Sequence, residues 1–263
     1  MERHVFIRQE QNGWFQSSDC LRLRFSSQRV DPLFASYYFL TPDHQRWMMN
    51  QCSHGATMAS LNHGILERIE LPLPPLPVQQ RIAGILSAYD ELIENSQRRI
   101  KIMETMARTL YREWFVHFRF PGHENHPHVA SPLGKIPQGW EVKKLGEIAE
   151  DMRRNVPKGP LEDPAPFVGL EHIPRRSLAL DTWETTAELG SNKLEFKKGE
   201  VLFEKIRPYF YKVSVAPFNC LCSADTVIIR SRRPEHYAIV VGCVSDDEFV
   251  ALATATSNGS KMP

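Results

Sequence analysis

The residues best suited to chemistry lie in one stretch, GEVLFEKIRPYFYKVSVAP, from Gly199 to Pro217. Lys205, Arg207, Tyr209, Tyr211 and Lys212 crowd around Pro208 between two predicted strands. Lysine and arginine bind phosphate, arginine also matches the edge of guanine, and tyrosine packs on sugars and bases. The turn therefore fits a nucleic-acid contact better than a hairpin whose charges are merely solvated. Two further groups share this character in weaker form. Arg153, Arg154 and Lys158 fall in a proline- and glycine-rich stretch that reads as a flexible basic loop, suited to phosphate. The turns Gly55–Ser60 and Ser257–Lys261 offer backbone N–H groups and hydroxyls, and Lys261 adds a positive charge.

Other chemistries find no support. There is no Asn-Pro-Pro-aromatic methyltransferase motif, no glycine-rich S-adenosylmethionine loop after a strand, and no GxxxxGK[ST] nucleotide loop. Asp246, Asp247 and Glu248 are adjacent acids of the kind that form a solvated helix face. His123, His126 and His128 sit in a segment that offers no rigid scaffold for a metal. Cys220 and Cys222 are too close for a zinc knuckle, and no second pair completes a site. The five cysteines are read as small buried hydrophobes in a reducing compartment. No cofactor is expected. The N-terminus is polar, no apolar run is long enough for a membrane, and the expected location is the cytoplasm. With a formal net charge of +1, any nucleic-acid surface must be a local patch.

The element that must position these groups is a long helix. Apolar or small residues recur at Ile82, Leu86, Tyr89, Ile93, Ser96, Ile100, Met103, Ala107, Leu110 and Trp114, in alternating steps of four and three. That is a heptad seam, and it needs a partner helix. Pro77 suits the first turn, and no proline follows until Pro121. The first half is acidic (Asp90, Glu91, Glu94) and the second basic (Arg98, Arg99, Lys101, Arg108, Arg112), a pattern that favours antiparallel pairing. Tyr111, Trp114, Phe115 and Phe118 form an aromatic cluster suited to packing or docking.

Around the helix the chain reads as α+β, with short strands and helices interspersed. Residues 1–75 contain an alternating LRLRF strand (Leu21–Phe25), a helical stretch from Pro32 to Asn50 interrupted near Pro42, and a strand within Ile65–Leu73. Residues 119–132 read as a linker. Residues 133–263 form the larger flank. They carry a turn at Pro137–Gly139, a strand around Trp140–Lys143 and a helix from Leu145. Further strands are expected at Pro166–Ile173, Gly199–Phe203, Val213–Ala216 and Ala224–Ile229, with helices at Pro234–Val244 and Asp246–Ala253.

Several unusual blocks, in order, carry a family resemblance: PLPPLPVQQRIAGIL, then DELIE and a basic stretch, then WFVHFRFPG and GKIPQGWEVKKLGEI. Together they resemble the specificity subunit of type I restriction-modification enzymes. The resemblance covers most of the chain and is strongest in the middle. It implies a central helix, residues 76–118, between two DNA target recognition domains. The partners implied are double-stranded DNA, the modification (methyltransferase) subunits and, through them, the restriction subunit. On that reading the chain is non-catalytic. Ile82, Leu86, Tyr89, Ile93, Ile100, Met103, Leu110 and Trp114 would dock a partner, self-association included, and the helix would act as a ruler.

The flanks also resemble each other. Ser17–Arg24 (SSDCLRLR) matches Ser223–Arg230 (SADTVIIR), each followed by a proline and an amphipathic helix, and Gly55–Ala59 lines up with Gly259–Pro263. The expectation is the C-terminal part of one recognition domain (1–75), the helix (76–118), the linker (119–132) and most of a second domain (133–263). A gene fragment is favoured over a permuted half-subunit. A second function stays open: a decoy or assembly protein that pairs through its helix without reading DNA.

Overall fold

In the computed structural model, residues 4–17, 20–51 and 63–257 are described. The chain divides into two units, Met1–Gln97 and Arg98–Pro263, and the division falls inside the long helix.

In the first unit, α1 (Pro32–Phe39) and α2 (Pro42–Gln51) are separated by the break expected near Pro42. Pro32 opens α1, and the Asp31 carboxylate caps it by accepting the Phe34 N–H at 2.8 Å. A short α3 (His63–Leu66) follows, and then α4 (Leu76–Tyr111), 36 residues long. At 1.5 Å per residue α4 measures roughly 54 Å. The root of α4 is held by Gln79, which is buried. Its Oε1 accepts the Asp31 N–H at 2.9 Å, and its Nε2 donates to the carbonyls of Pro74 (2.8 Å) and Arg29 (3.2 Å). Farther along, the Tyr37 hydroxyl donates to Asp90 at 2.6 Å and Arg8 pairs with Glu94. Burial and the Asp90 carboxylate push the Tyr37 phenol up to about 12. Two of the acids read as a solvated flank for helix pairing thus serve this unit internally.

Two expected strands of this unit are absent. Leu21–Phe25 has no ladder partner among the described residues, and Leu23 is exposed. Alternation assigns side chains to faces, but a strand exists only where a neighbour accepts and donates its backbone bonds. The Ile65–Leu73 strand is replaced by α3, a turn and an irregular run into Pro72, Pro74 and Pro75. Those prolines have no N–H to give a ladder.

The second unit begins with the rest of α4, which ends in a π-helical turn, Arg112–Val116. The chain then breaks at Phe118, whose φ is +57°. The 119–132 segment is not a bare connector. It holds a 3-10 turn (His123–Asn125) and β1 (His128–Ser131), which pairs with β2 (Gly134–Pro137). His123 Nδ1 donates to the Phe120 carbonyl at 2.9 Å, and His126 Nε2 to that of Gln138 at 2.9 Å. The expected strand at Trp140–Lys143 does not form. Trp140 instead packs against Phe115, Phe118 and Phe120, with ring centroids 5.4, 5.7 and 5.5 Å away. The aromatic cluster therefore works in part as internal packing.

The remaining elements are α5 (Leu145–Ile148), β3 (Ala149–Asp151), β4 (Arg154–Val156), β5 (Gly159–Val168), β6 (Glu184–Leu189), β7 (Lys193–Phe196), β8 (Val201–Glu204), β9 (Val213–Val215), β10 (Cys220–Ser223), β11 (Thr226–Ser231), α6 (Tyr237–Ser245) and α7 (Asp247–Thr256). One sheet runs β4-β7-β10-β5-β6 and the other β3-β11-β8-β9. The first is mixed, since β10 runs parallel to β5 and antiparallel to β7. The architecture is α+β, as expected. The strand expected at Pro166–Ile173 stops at Val168, where the chain turns. The sequence reading did not include β3, β4, β6, β7 and β10. Each is short, and each depends on neighbours distant in the chain.

The strands of the second sheet bury both faces. Leu202 and Ile228 join Val168, Phe196 and Cys222 between the sheets. Val201, Phe203 and Ile229 face Val240, Val244 and Val250 of α6 and α7. That explains the unbroken apolar runs VLF and VII, which carry no alternation. Cys220 and Cys222 are buried here, whereas Cys20 is exposed and Cys52 lies outside the described residues. Burial raises the Cys220 and Cys222 thiols to about 11 and about 12.

The second half of α4 is fastened to this unit by a carboxylate and a ring. Glu104 Oε1 accepts the Ser177 hydroxyl (2.8 Å) and the N–H groups of Leu178 (2.7 Å) and Ala179 (3.1 Å). Tyr111 lies against Gly242 of α6, where an added Cβ would stand 2.3 Å from the ring.

Two outcomes follow. Gly242→Ala must push Tyr111 aside and should cost about 1–3 kcal/mol in denaturant unfolding, although alanine is the better helix former. Gln79→Glu removes the donor to two carbonyls and buries a charge. It should destabilise by roughly 2–4 kcal/mol at neutral pH, and by less in acid where the carboxyl can donate. Equal melting of Gln79→Glu and the parent at pH 7 would contradict the role given to Gln79.

Candidate nucleic-acid interface

The Lys205–Lys212 turn connects β8 to β9, as the sequence suggested. The Glu204 N–H donates to the Lys212 carbonyl at 3.1 Å and closes its base. Within it, Pro208–Phe210 forms a 3-10 turn between two left-handed residues, Arg207 (φ +55°) and Tyr211 (φ +56°). Neither is glycine, so each costs of order 1 kcal/mol and must be held by its surroundings. Pro208 is buried and its ring restricts φ. The Tyr211 carbonyl accepts the Arg176 N–H at 2.9 Å.

The five residues named in this turn divide into two roles. Lys212 is mostly buried. Its Nζ donates to the Leu170 carbonyl and stands 3.3 Å from Glu204 Oε2, an ion pair without hydrogen-bond geometry. Tyr211 lies half-buried under the Arg176 guanidinium, 3.7 Å from ring centroid to carbon. These two brace the turn. Lys205, Arg207 and Tyr209 face solvent. Lys205 Nζ is tethered to the Ala224 carbonyl at 2.9 Å and lies 3.5 Å from Asp225 Oδ1. Tyr209 is 53% exposed, with its ring set edge-on to Phe210.

The weaker candidates fare unevenly. Arg154 is not in a flexible loop. It lies on β4, and its guanidinium grips the buried Glu200 and the Glu195 carbonyl. Arg153 is exposed and paired with Asp151 at 2.8 Å, and Lys158 is exposed. Lys261 and the turn Gly55–Ser60 lie outside the described residues.

The sequence reading missed Arg175 and Arg176. They arrive from the β5–β6 connection, far away in the chain, and only the tertiary fold brings them to the turn. Arg175 bridges to Lys212 through the backbone, and its guanidinium lies 3.9 Å over the Phe210 ring. The HIPRRS context carries no signal of this. Local sequence reads neighbours within a turn, not across a sheet.

The heptad positions Ile82, Leu86, Tyr89, Ile93, Ile100, Met103 and Leu110 on α4, and Trp114 in the π-helical turn after it, are 37–62% exposed. Ile85, Leu92 and Met106 are exposed beside them and widen the stripe beyond the narrow seam. Of the basic second half, Arg98, Arg99 and Lys101 are exposed, while Arg108 lines a small cleft with Arg176, Leu178 and Asp247.

Burial raises the Glu204 carboxyl above its ordinary 4.5, and the positive charges of Lys212, Arg175 and Arg207 oppose that rise. The folded state then holds this proton more tightly than the unfolded state. The contribution is therefore fully present below about pH 4.5 and is lost as pH rises through the raised value. Glu204→Gln should flatten that part of the profile of unfolding free energy against pH. An unchanged slope in the variant would show that Glu204 does not titrate this way.

Residues 4–104 match the family model of the type I restriction modification DNA specificity domain. The type I restriction enzyme MjaIX specificity subunit of Methanocaldococcus jannaschii is 27% identical over 214 residues, covering 77% of this chain and 49% of the relative. The EcoDI specificity subunit of Escherichia coli is 26% identical over 205 residues, covering 70% of this chain and 46% of the relative. The crystal structure of a type I restriction-modification S subunit from M. genitalium aligns over 88% of this chain and 58% of its own, with a TM-score of 0.44 and 16% identity. The chain spans about half the length of these curated relatives. The chain is thus similar to type I restriction enzyme specificity subunits over most of its length, and its residues 4–104 match the model of their DNA specificity domain.

Proposed function

We propose that this chain is a non-catalytic DNA sequence-recognition subunit of a type I restriction-modification system. Residues 1–75 serve as the C-terminal part of one target recognition domain and residues 133–263 as a second. Lys205, Arg207 and Tyr209 contact DNA, while Tyr211 and Lys212 hold the turn in shape. Arg153 and Lys158 add phosphate contacts. The apolar stripe of α4 docks a helical partner and recruits the methyltransferase subunits, and through them the restriction subunit. Methylation and cleavage reside in those partners.

The observation that carries this reading is the braced turn. Left-handed Arg207 and Tyr211, the mostly buried Lys212 and Arg176 over the Tyr211 ring shape a turn on which Lys205, Arg207 and Tyr209 are exposed. Strain of this kind persists where the surrounding structure fixes it, and it clusters at functional sites. The similarity to specificity subunits supports DNA as the ligand. The exposed α4 stripe favours, as a second reading, an assembly or decoy protein. No helix among the described residues is long and apolar enough to cross a membrane.

The test is co-expression with a type I modification subunit, followed by selection from a randomised duplex DNA library. Co-purification with enrichment of one motif is expected. Arg207→Ala with Tyr209→Ala should abolish that enrichment while the complex stays intact. Co-purification without enrichment by the parent would favour the decoy, and failure to co-purify would remove the docking role of α4.

A further inference from the structure

The cations around the turn differ in what already occupies them. Lys205 holds a carbonyl and lies near Asp225. Lys212 holds a carbonyl and faces Glu204. Arg154 holds Glu200, and Arg176 donates to Asp247 Oδ1 at 3.1 Å. Arg175 is the exception. Among the described residues its guanidinium has no acidic partner within ion-pair distance and no hydrogen bond. Its contact is the face of Phe210 at 3.9 Å, and it is exposed. Its charge is felt by Glu204, which is buried and already faces Lys212.

The placement of Arg175 is also rigid. Its backbone is bridged to Lys212, and its neighbour Arg176 is left-handed (φ +57°), stacked on Tyr211 and tied to Asp247. Ile173 and Leu180, both buried, anchor the connection on either side. A contact with a ring face restrains a guanidinium without using its N–H groups, and leaves those donors available. A phosphate is satisfied by a charge that approaches from many directions. A base edge needs two donors in a fixed plane, and the guanine O6/N7 pair is the match for arginine. Much of the ordering cost of such a contact has been met before the ligand arrives.

We propose that Arg175, held over the Phe210 ring, is a specificity-determining residue that reads a guanine in the major groove of the DNA target. This rests on the reading of the Lys205–Lys212 turn as a DNA-contacting surface. Arg176 is the positioning residue beside it, and Phe210 is the platform.

The experiment uses the full chain in its complex with the modification subunit and a randomised duplex DNA library, with the parent as reference. The variants are Arg175→Ala, Arg175→Lys and Phe210→Leu, each checked for an unchanged melting temperature. The parent motif should contain a guanine that both Arg175 variants cease to select. Loss of preference there should be roughly 10- to 100-fold, with the other positions and the salt dependence nearly unaltered. Lysine should fail to rescue, because it lacks the planar fork. Phe210→Leu should weaken the same position and no other. A uniform loss at all positions with a shallower salt slope would make Arg175 a phosphate contact and overturn the proposal. So would an unchanged motif in all three variants. If the parent itself enriches no motif, the underlying reading of the turn falls, and the assignment of Arg175 falls with it.

Discussion

Everything in the second unit depends on burying both faces of the β8–β11 ladder. Val201 and Phe203 point to the helices, Leu202 and Ile228 to the opposite sheet, and the register pairs Leu202 with Ile228. Because neither face meets water, the two strands cannot slide without exposing apolar surface on one side or the other. The turn after β8 inherits that rigidity. Its base is closed by Glu204 and Lys212, and its tip is shaped by left-handed residues that a looser scaffold would let relax.

The long helix serves its surroundings by a different chemistry. Its apolar stripe faces away from the chain's own packing, while its polar residues do the fastening. Gln79 bonds three backbone groups near its start, and Glu104 accepts three donors farther along. Each is one side chain satisfying several backbone groups that would otherwise lose water on burial without compensation. This division leaves the heptad positions exposed.

The same residue types take opposite roles according to what surrounds them. Arg154 and Arg175 are both arginines of the second unit. One is spent on a buried glutamate and holds β4 to the loop before β8. The other meets an aromatic ring, which fixes it without neutralising its donors. Lys212 and Lys205 divide likewise into a brace and a surface group. A basic patch is therefore better judged by its unoccupied donors than by its charges.

The α+β class, the helix with its seam, the break at Pro42 and the strand–turn–strand around Pro208 were legible in the sequence. Each rests on short-range physics: proline geometry, heptad spacing and the length of apolar runs. The short strands β3, β4, β6, β7 and β10 were not legible, nor was the failure of Leu21–Phe25 to pair, because a ladder depends on a neighbour elsewhere in the chain. The family resemblance was carried by blocks around the helix, where the order of unusual residues is specific. The candidate site was half legible. Lys205, Arg207 and Tyr209 stood together in one turn, whereas Arg175 came from a different connection. Which cations are spent was settled only by folding, since an ion pair or a stacked ring is a fact about distance in space. Sequence spacing determined the elements and the chemistry available, and tertiary packing decided which groups remain free to use it.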